Sequence, residues 1–69
     1  MLMIRGRYRI RPGARLLIGG KWEPVVEVVW SERGRDRTAN GSLEGLYDSE
    51  REAVSAAREQ AMADPRFEE

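Results

Sequence analysis

Arg5-Gly6-Arg7-Tyr8-Arg9-Ile10-Arg11 puts a guanidinium at every second position. A β-strand turns successive side chains to opposite faces. A single strand over residues 3–11 therefore carries Arg5, Arg7, Arg9 and Arg11 on one face, with Ile4, Tyr8 and Ile10 on the other. The guanidinium groups would recur at about 6.5–7 Å, twice the strand rise. That interval is close to phosphate spacing along a nucleic-acid strand, where basic side chains neutralise charge and release counterions. Arg33, Arg35 and Arg37 repeat the alternation in a glycine-centred polar stretch and would extend the patch. The chemistry implied is the capture of an anionic macromolecule, either a nucleic-acid backbone or an acidic protein surface.

Catalytic chemistry finds little to work with. The chain has no Cys and no His. It therefore lacks an imidazole base, a thiolate and the common triads, as well as disulfides and Cys/His zinc sites. Most carboxylates lie on or near the expected helix, where a solvated face accounts for them. Gly41-Ser42-Leu43-Glu44-Gly45 has a G-x-x-x-G spacing but none of the rest of a phosphate-cradling motif. No stretch resembles an EF-hand loop. The expectation is a protein that is not an enzyme, with no cofactor and no metal.

The chain of 69 residues is read as one small domain, 1–69. A domain of this size buries only about 60% of its unfolded surface, so its stability margin is thin. Its formal net charge is zero but unevenly spread. Arg5, Arg7, Arg9, Arg11, Arg15 and Lys21 all precede the first acid, Glu23. Such a split favours an anionic partner, or a homodimer in which the basic front of one copy meets the acidic back of another. Neutralisation of one half by the other within the fold is the alternative. Every basic residue except Lys21 is arginine. Arginine's planar fork suits carboxylate and phosphate, although compositional bias alone could produce the excess. Residues 1–4 are too short for a signal-peptide core, and no apolar run has membrane-spanning length. A cytoplasmic protein without a membrane role is expected.

Stepwise along the chain, strands are expected at about 3–11 and 22–30; residues 15–18 form a strand of their own or extend the first past a bulge, and residues 42–47 form a weaker strand or a loop ending in one. Pro12-Gly13 reads as a turn and Gly19-Gly20-Lys21 as a tight connection. Trp22 to Trp30 alternates strongly, with Trp22, Pro24, Val26, Val28 and Trp30 on a core face and Glu23 and Glu27 opposite. Pro24 requires an edge or a bulge. Residues 31–37 read as a hairpin tip, and Asn40-Gly41 as a turn signal. Ser49-Glu50-Arg51-Glu52 is a capping box that opens a helix over about 50–63. Ala53, Val54, Ala57 and Ala61 share one face of it. Asp64-Pro65 ends it, leaving residues 64–69 as a frayed tail. The fold class is α+β: an antiparallel sheet of three or four strands with one C-terminal helix packed on one face.

On that layout Glu23 and Glu27 share the arginine face. Cross-strand Arg–Glu pairs contribute on the order of 0.2–1 kcal/mol each. Two glutamates cannot balance four arginines, so the face is expected to stay net positive. Trp22 and Trp30 are assigned to the core rather than to base stacking.

Trp22, then Val26-Glu27-Val28, a glycine-bearing basic tip and Tyr47-Asp48-Ser49-Glu50-Arg51-Glu52-Ala53 follow an order that resembles the DNA-binding domains at the front of tyrosine-family phage integrases. The resemblance covers about residues 22–63. It implies three strands and a helix, with DNA read by the sheet. This chain departs in having glutamates on its strand and an acidic second part, and no functional residue carries over. The layout is also similar to small uncharacterised bacterial and phage proteins. The leading expectation is a non-enzymatic binding module that contacts a nucleic-acid backbone through Arg5, Arg7, Arg9, Arg11, Arg33, Arg35 and Arg37. The alternative is a protein-binding module or inhibitor, of the small phage or mobile-element type, docking on a larger host complex.

Overall fold

Gly6 decides the course of the first strand. In the structure, a computed structural model that describes residues 2–67, Gly6 has φ 56°. A positive φ at the first central position is what a tight two-residue hairpin needs. The chain reverses there. β1 (Met3–Arg5) pairs antiparallel with β2 (Tyr8–Leu16), with Arg5 opposite Tyr8 and Met3 opposite Ile10. The expected single strand over 3–11 is thus two strands.

β2 runs straight through Pro12-Gly13, which is not a turn, and ends at Leu16. Pro12 is tolerated because β1 extends only to the partner of Ile10. Beyond that point β2 has no paired outer strand among the described residues to miss a proline N–H. No separate strand forms at 15–18. β3 (Trp22–Glu32) then pairs with β2, placing Arg11 opposite Glu27 and Arg15 opposite Glu23. Pro24 falls just before the pairing with the next strand begins at Val25.

Arg33 and Gly34 have φ of 53° and 77°. Two successive positive φ values make the tight hairpin turn that leads into β4 (Arg35–Ser42). The expected tip at 31–37 therefore shrinks to two residues, and Asn40-Gly41 lies inside a strand. Beyond Ser42 the loop expected as the alternative over 42–47 forms, tied down by a bridge between Tyr47 and Trp22. The sheet order is β1-β2-β3-β4, an antiparallel meander. β4 is exposed along its whole length.

Helix α1 (Glu50–Ala63) opens on Ser49, whose hydroxyl accepts from the Glu52 N–H at 3.2 Å. Glu50 and Glu52 occupy its first turn, where the helix dipole favours negative charge. Ala53, Ala57 and Ala61 are fully covered and let the helix lie close against β2 and β3. Opposite them, Ile10, Val26 and Val28 form the apolar floor. One helix on one face of an antiparallel sheet is the α+β architecture the sequence implies. No helix among the described residues is long and apolar enough to cross a membrane.

The helix has no basic residue in its last turn. Arg5 supplies that charge from the sheet. Its guanidinium donates to the carbonyls of Ala61 at 2.7 Å and Asp64 at 3.1 Å. The Ala61 carbonyl lies in the last turn, at the negative end of the dipole, and otherwise takes a 3.4 Å cap bond from the Asp64 N–H; the Asp64 carbonyl also accepts from the Phe67 N–H at 3.2 Å. Arg5→Gln is expected to lower stability by about 2 kcal/mol, the scale of hydrogen bonds to a charged group. Urea denaturation reads this directly, and an unchanged midpoint would refute the role.

Beyond the helix, residues 64–67 do not fray. Pro65–Phe67 forms a 3-10 turn that brings Phe67 back to the sheet, 8% exposed. Its ring lies 5.6 Å from Tyr8, and Tyr8 lies 5.9 Å from Trp30 in an edge-on contact. The expected tail at 64–69 is therefore core at Phe67, while residues 68–69 fall outside the described residues.

Candidate partner-binding surface

A two-residue turn reverses the facing of every residue after it. Arg5, paired with Tyr8, shares the helix side of the sheet with Tyr8 and Ile10. Ile4, opposite Arg9, goes to the open side with Arg9 and Arg11 and is 71% exposed. Arg7 lies in the turn, with its guanidinium 5.2 Å from the centre of the Tyr8 ring. The four-arginine face expected for residues 5–11 does not form, because the hairpin distributes it over two faces and a turn.

What remains on the open face is balanced. Arg9 lies 3.6 Å from Asp36, and Arg11 lies 3.6 Å from Glu27. Arg15 pairs with Glu23, and Ser42 bonds to both at 3.2 Å. Each arginine of this face has its own carboxylate. Such exposed pairs contribute about 0–1 kcal/mol and hold little charge in reserve for a partner. The expected positive surplus on the sheet face is absent for two reasons: Arg5 is engaged by the helix, and Asp36 arrives from β4.

The surplus is found elsewhere. The register puts Tyr8 beside Trp30, so the β1–β2 and β3–β4 turns project from the same end of the sheet. The molecule is elongated, 42 × 20 × 17 Å. The two turns bring Arg7, Arg33, Arg35 and Arg37 to this end, and Arg66 follows the end of α1 that Arg5 caps. Asp36 answers Arg9 there, and Asp64 answers Arg66. Arg37 is 3.5 Å from Glu32. Arg33 and Arg35 have no hydrogen-bond or ion-pair partner among the described residues. The uneven charge of the sequence has become a separation along the long axis. Lys21 with Asp48, and the first-turn acids Glu50 and Glu52, lie toward the opposite end.

Arg33 stands in the left-handed region, where an L-side chain costs roughly 1 kcal/mol and where Asn-Gly is the favoured pair in such turns. Residues held in sparsely populated conformations cluster at functional positions.

Sequence reasoning passed over Arg66 and Phe67. Arg66 donates to Asp64 from Nε at 3.0 Å to each carboxylate oxygen, and its backbone N–H donates at 2.9 Å. These bonds, the side-chain one foremost, hold the Asp64 carboxyl below its ordinary pKa and raise that of Arg66. A carboxyl depressed by folding stabilises the fold above its unfolded pKa, and the contribution is lost as pH falls through the depressed value. NMR titration of Asp64 is expected to give a low pKa that returns upward in Arg66→Ala. An unshifted Asp64 in the unaltered protein would contradict the pairing. The readable signal for this closure was a lone Phe in an otherwise polar end.

On the helix side, α1 covers β2 and β3 but stops short of β4. An open groove of about 260 Å³ remains, walled by Tyr8, Trp30, Leu43 and Phe67 and floored by Ala39 and Gly41, with Arg66 at its edge. No cluster of three or more metal-ligating side chains occurs among the described residues. The chain matches no family model, no curated protein and no solved structure.

Proposed function

We propose that this chain is a small non-enzymatic binding module that presents its arginine end to an anionic partner, with a nucleic-acid backbone as the leading candidate. Arg33, Arg35 and Arg37 carry the contact, and Arg7 extends it. The observation that supports the reading is Arg33, a guanidinium with no partner among the described residues, at a turn position where arginine is unfavourable. A residue selected for stability would be asparagine or glycine there.

Arg33→Asn separates function from stability. It is expected to raise stability by about 0.5–1 kcal/mol as strain is relieved. It should also weaken binding to labelled single-stranded and duplex oligonucleotides, read by fluorescence anisotropy at low salt. Arg11→Gln, on the balanced open face, should leave binding within about twofold, since its charge is already answered. Oligonucleotide binding unaffected by Arg33→Asn but weakened by Arg11→Gln would return the site to the open face and overturn this assignment.

A protein-binding module or inhibitor is the second reading. The fully exposed edge of β4, beside an uncovered apolar groove, favours it, because such edges accept an added strand. Recovery of one stoichiometric protein partner, insensitive to nuclease, would support this reading over the first.

A further inference from the structure

The two edges of the sheet are not alike. β1 covers only three residues of β2, and Pro12 stands further along the same outer side. A short strand and a proline are common guards against edge-to-edge pairing. β4 forms the other edge. It runs from Arg35 to Ser42 in unbroken register with β3, without proline, lysine or bulge, and every residue of it is exposed.

The register fixes which of its amides are open. The Leu43 N–H donates to the Pro24 carbonyl at 2.8 Å, and these two residues continue the β3–β4 register. Bonded and unbonded positions alternate along an antiparallel strand. Odd-numbered residues of β4 therefore bond to β3, while Asp36, Thr38, Asn40 and Ser42 turn their N–H and C=O groups to the open edge. These four positions are symmetric about Ala39. A second β4, laid antiparallel across a two-fold axis at Ala39, brings Thr38 opposite Asn40 and Asp36 opposite Ser42. All four residues of each copy then gain a backbone partner. Moving the axis to Asn40 sets Asp36 against Glu44, and moving it to Thr38 leaves Ser42 opposite the turn at Gly34.

The charges select the same register. Arg35 opens β4 and Glu44 follows its end, and neither side chain has an ion-pair partner among the described residues. Across the axis at Ala39, Arg35 of each copy falls opposite Leu43 of the other and next to Glu44, so the contact is made twice. Arg37 falls opposite Gly41, where nothing lies within 4 Å of the position a Cβ would take. Arg37 and Asp36 keep Glu32 and Arg9 of their own copy. We propose that β4 pairs with β4 of a second copy, antiparallel about Ala39, joining two four-stranded sheets into one. The contact is isologous, and the guarded β1 edges end the assembly at a dimer. A single strand pairing buries less than a standard interface, so the dimer is weak, in the micromolar to millimolar range. Nucleic acid has no part in the pairing.

Sedimentation velocity over a concentration series, without nucleic acid, reads the pairing. The unaltered protein is expected to pass from monomer to dimer and no further. Thr38→Pro removes an outward N–H and leaves the bonds to β3 in place, so it should keep its circular dichroism and stay monomeric. A charge exchange gives a test that does not require proline to be tolerated. Arg35→Glu sets two carboxylates together at both ends of the contact, and Glu44→Arg sets two guanidinium groups there. Each variant alone should dimerise about tenfold more weakly than the unaltered protein. An equimolar mixture should regain the original affinity, because both Arg–Glu contacts reappear in the mixed dimer. A protein that is monomeric at millimolar concentration would overturn the proposal and leave the β4 edge to a different chain. Species larger than a dimer, dimerisation that survives in folded Thr38→Pro, or a mixture no tighter than its components would overturn it as well.

Discussion

Phe67→Ala is expected to lower stability by about 3–4 kcal/mol, the usual cost of deleting a buried phenyl ring. A domain of this length holds roughly 3–10 kcal/mol in total. The substitution should therefore lower the melting temperature by roughly 12–32 °C, at about 4–8 °C per kcal/mol for so small a domain. The effect is large because Phe67 closes an aromatic chain: its ring meets Tyr8, and Tyr8 meets the edge of Trp30. Removing it opens a void over Ile10 and Val28 that no neighbouring helix can fill. Phe67→Leu should cost about half as much, since it keeps most of the volume. Thermal circular dichroism, with tryptophan emission as a second probe, measures both. A frayed terminus would leave the melting temperature unchanged, and that outcome would refute the packing described for residues 64–67.

The joint substitution Arg33→Glu/Arg35→Glu is expected to weaken oligonucleotide binding by at least about tenfold at low salt. It removes the two guanidinium groups that no carboxylate of the described chain answers and places repulsion where attraction stood. Both positions are exposed, so the fold has little to lose. Glutamate at position 33 inherits the same unfavourable backbone as arginine, so strain does not change and stability should move by less than about 0.5 kcal/mol. A tenfold loss of binding with an unchanged melting temperature would be hard to attribute to unfolding. Unchanged binding would remove the arginine end from the account.

The fold class could be read from the sequence because its signals are local. The alternation of Trp22 to Trp30 marked the central strand. Ser49 and Glu52 marked where the helix begins, and the alanine face marked how it packs. The arginine stripe misled for a physical reason. Alternation continues unbroken through a two-residue turn, yet the turn exchanges the two faces beyond it. Arg5 and Arg9 look equivalent in sequence and sit on opposite sides of the sheet. Gly6 was the signal that a reversal was possible there. β4 was hard to see because a polar strand with no helix over it has no apolar face, and residues 35–42 are held by pairing to β3 alone. Pro12-Gly13 read as a turn because the freedom of the β2 outer edge depends on how short β1 is, which no local pattern encodes. The neutrality of the open face required Asp36 to come beside Arg9, a contact set by register rather than by spacing.

The salt dependence of oligonucleotide affinity tests the central claim most directly. A contact made by three or four guanidinium groups with a single strand should give a slope of log K against log salt of about −2 to −3. In Arg33→Glu/Arg35→Glu the slope should shrink by roughly 1.4, the share of two phosphate contacts. Arg11→Gln should leave it unchanged. A flat salt response, or the same slope in the double variant as in the unaltered protein, would contradict an arginine end that grips a phosphate backbone.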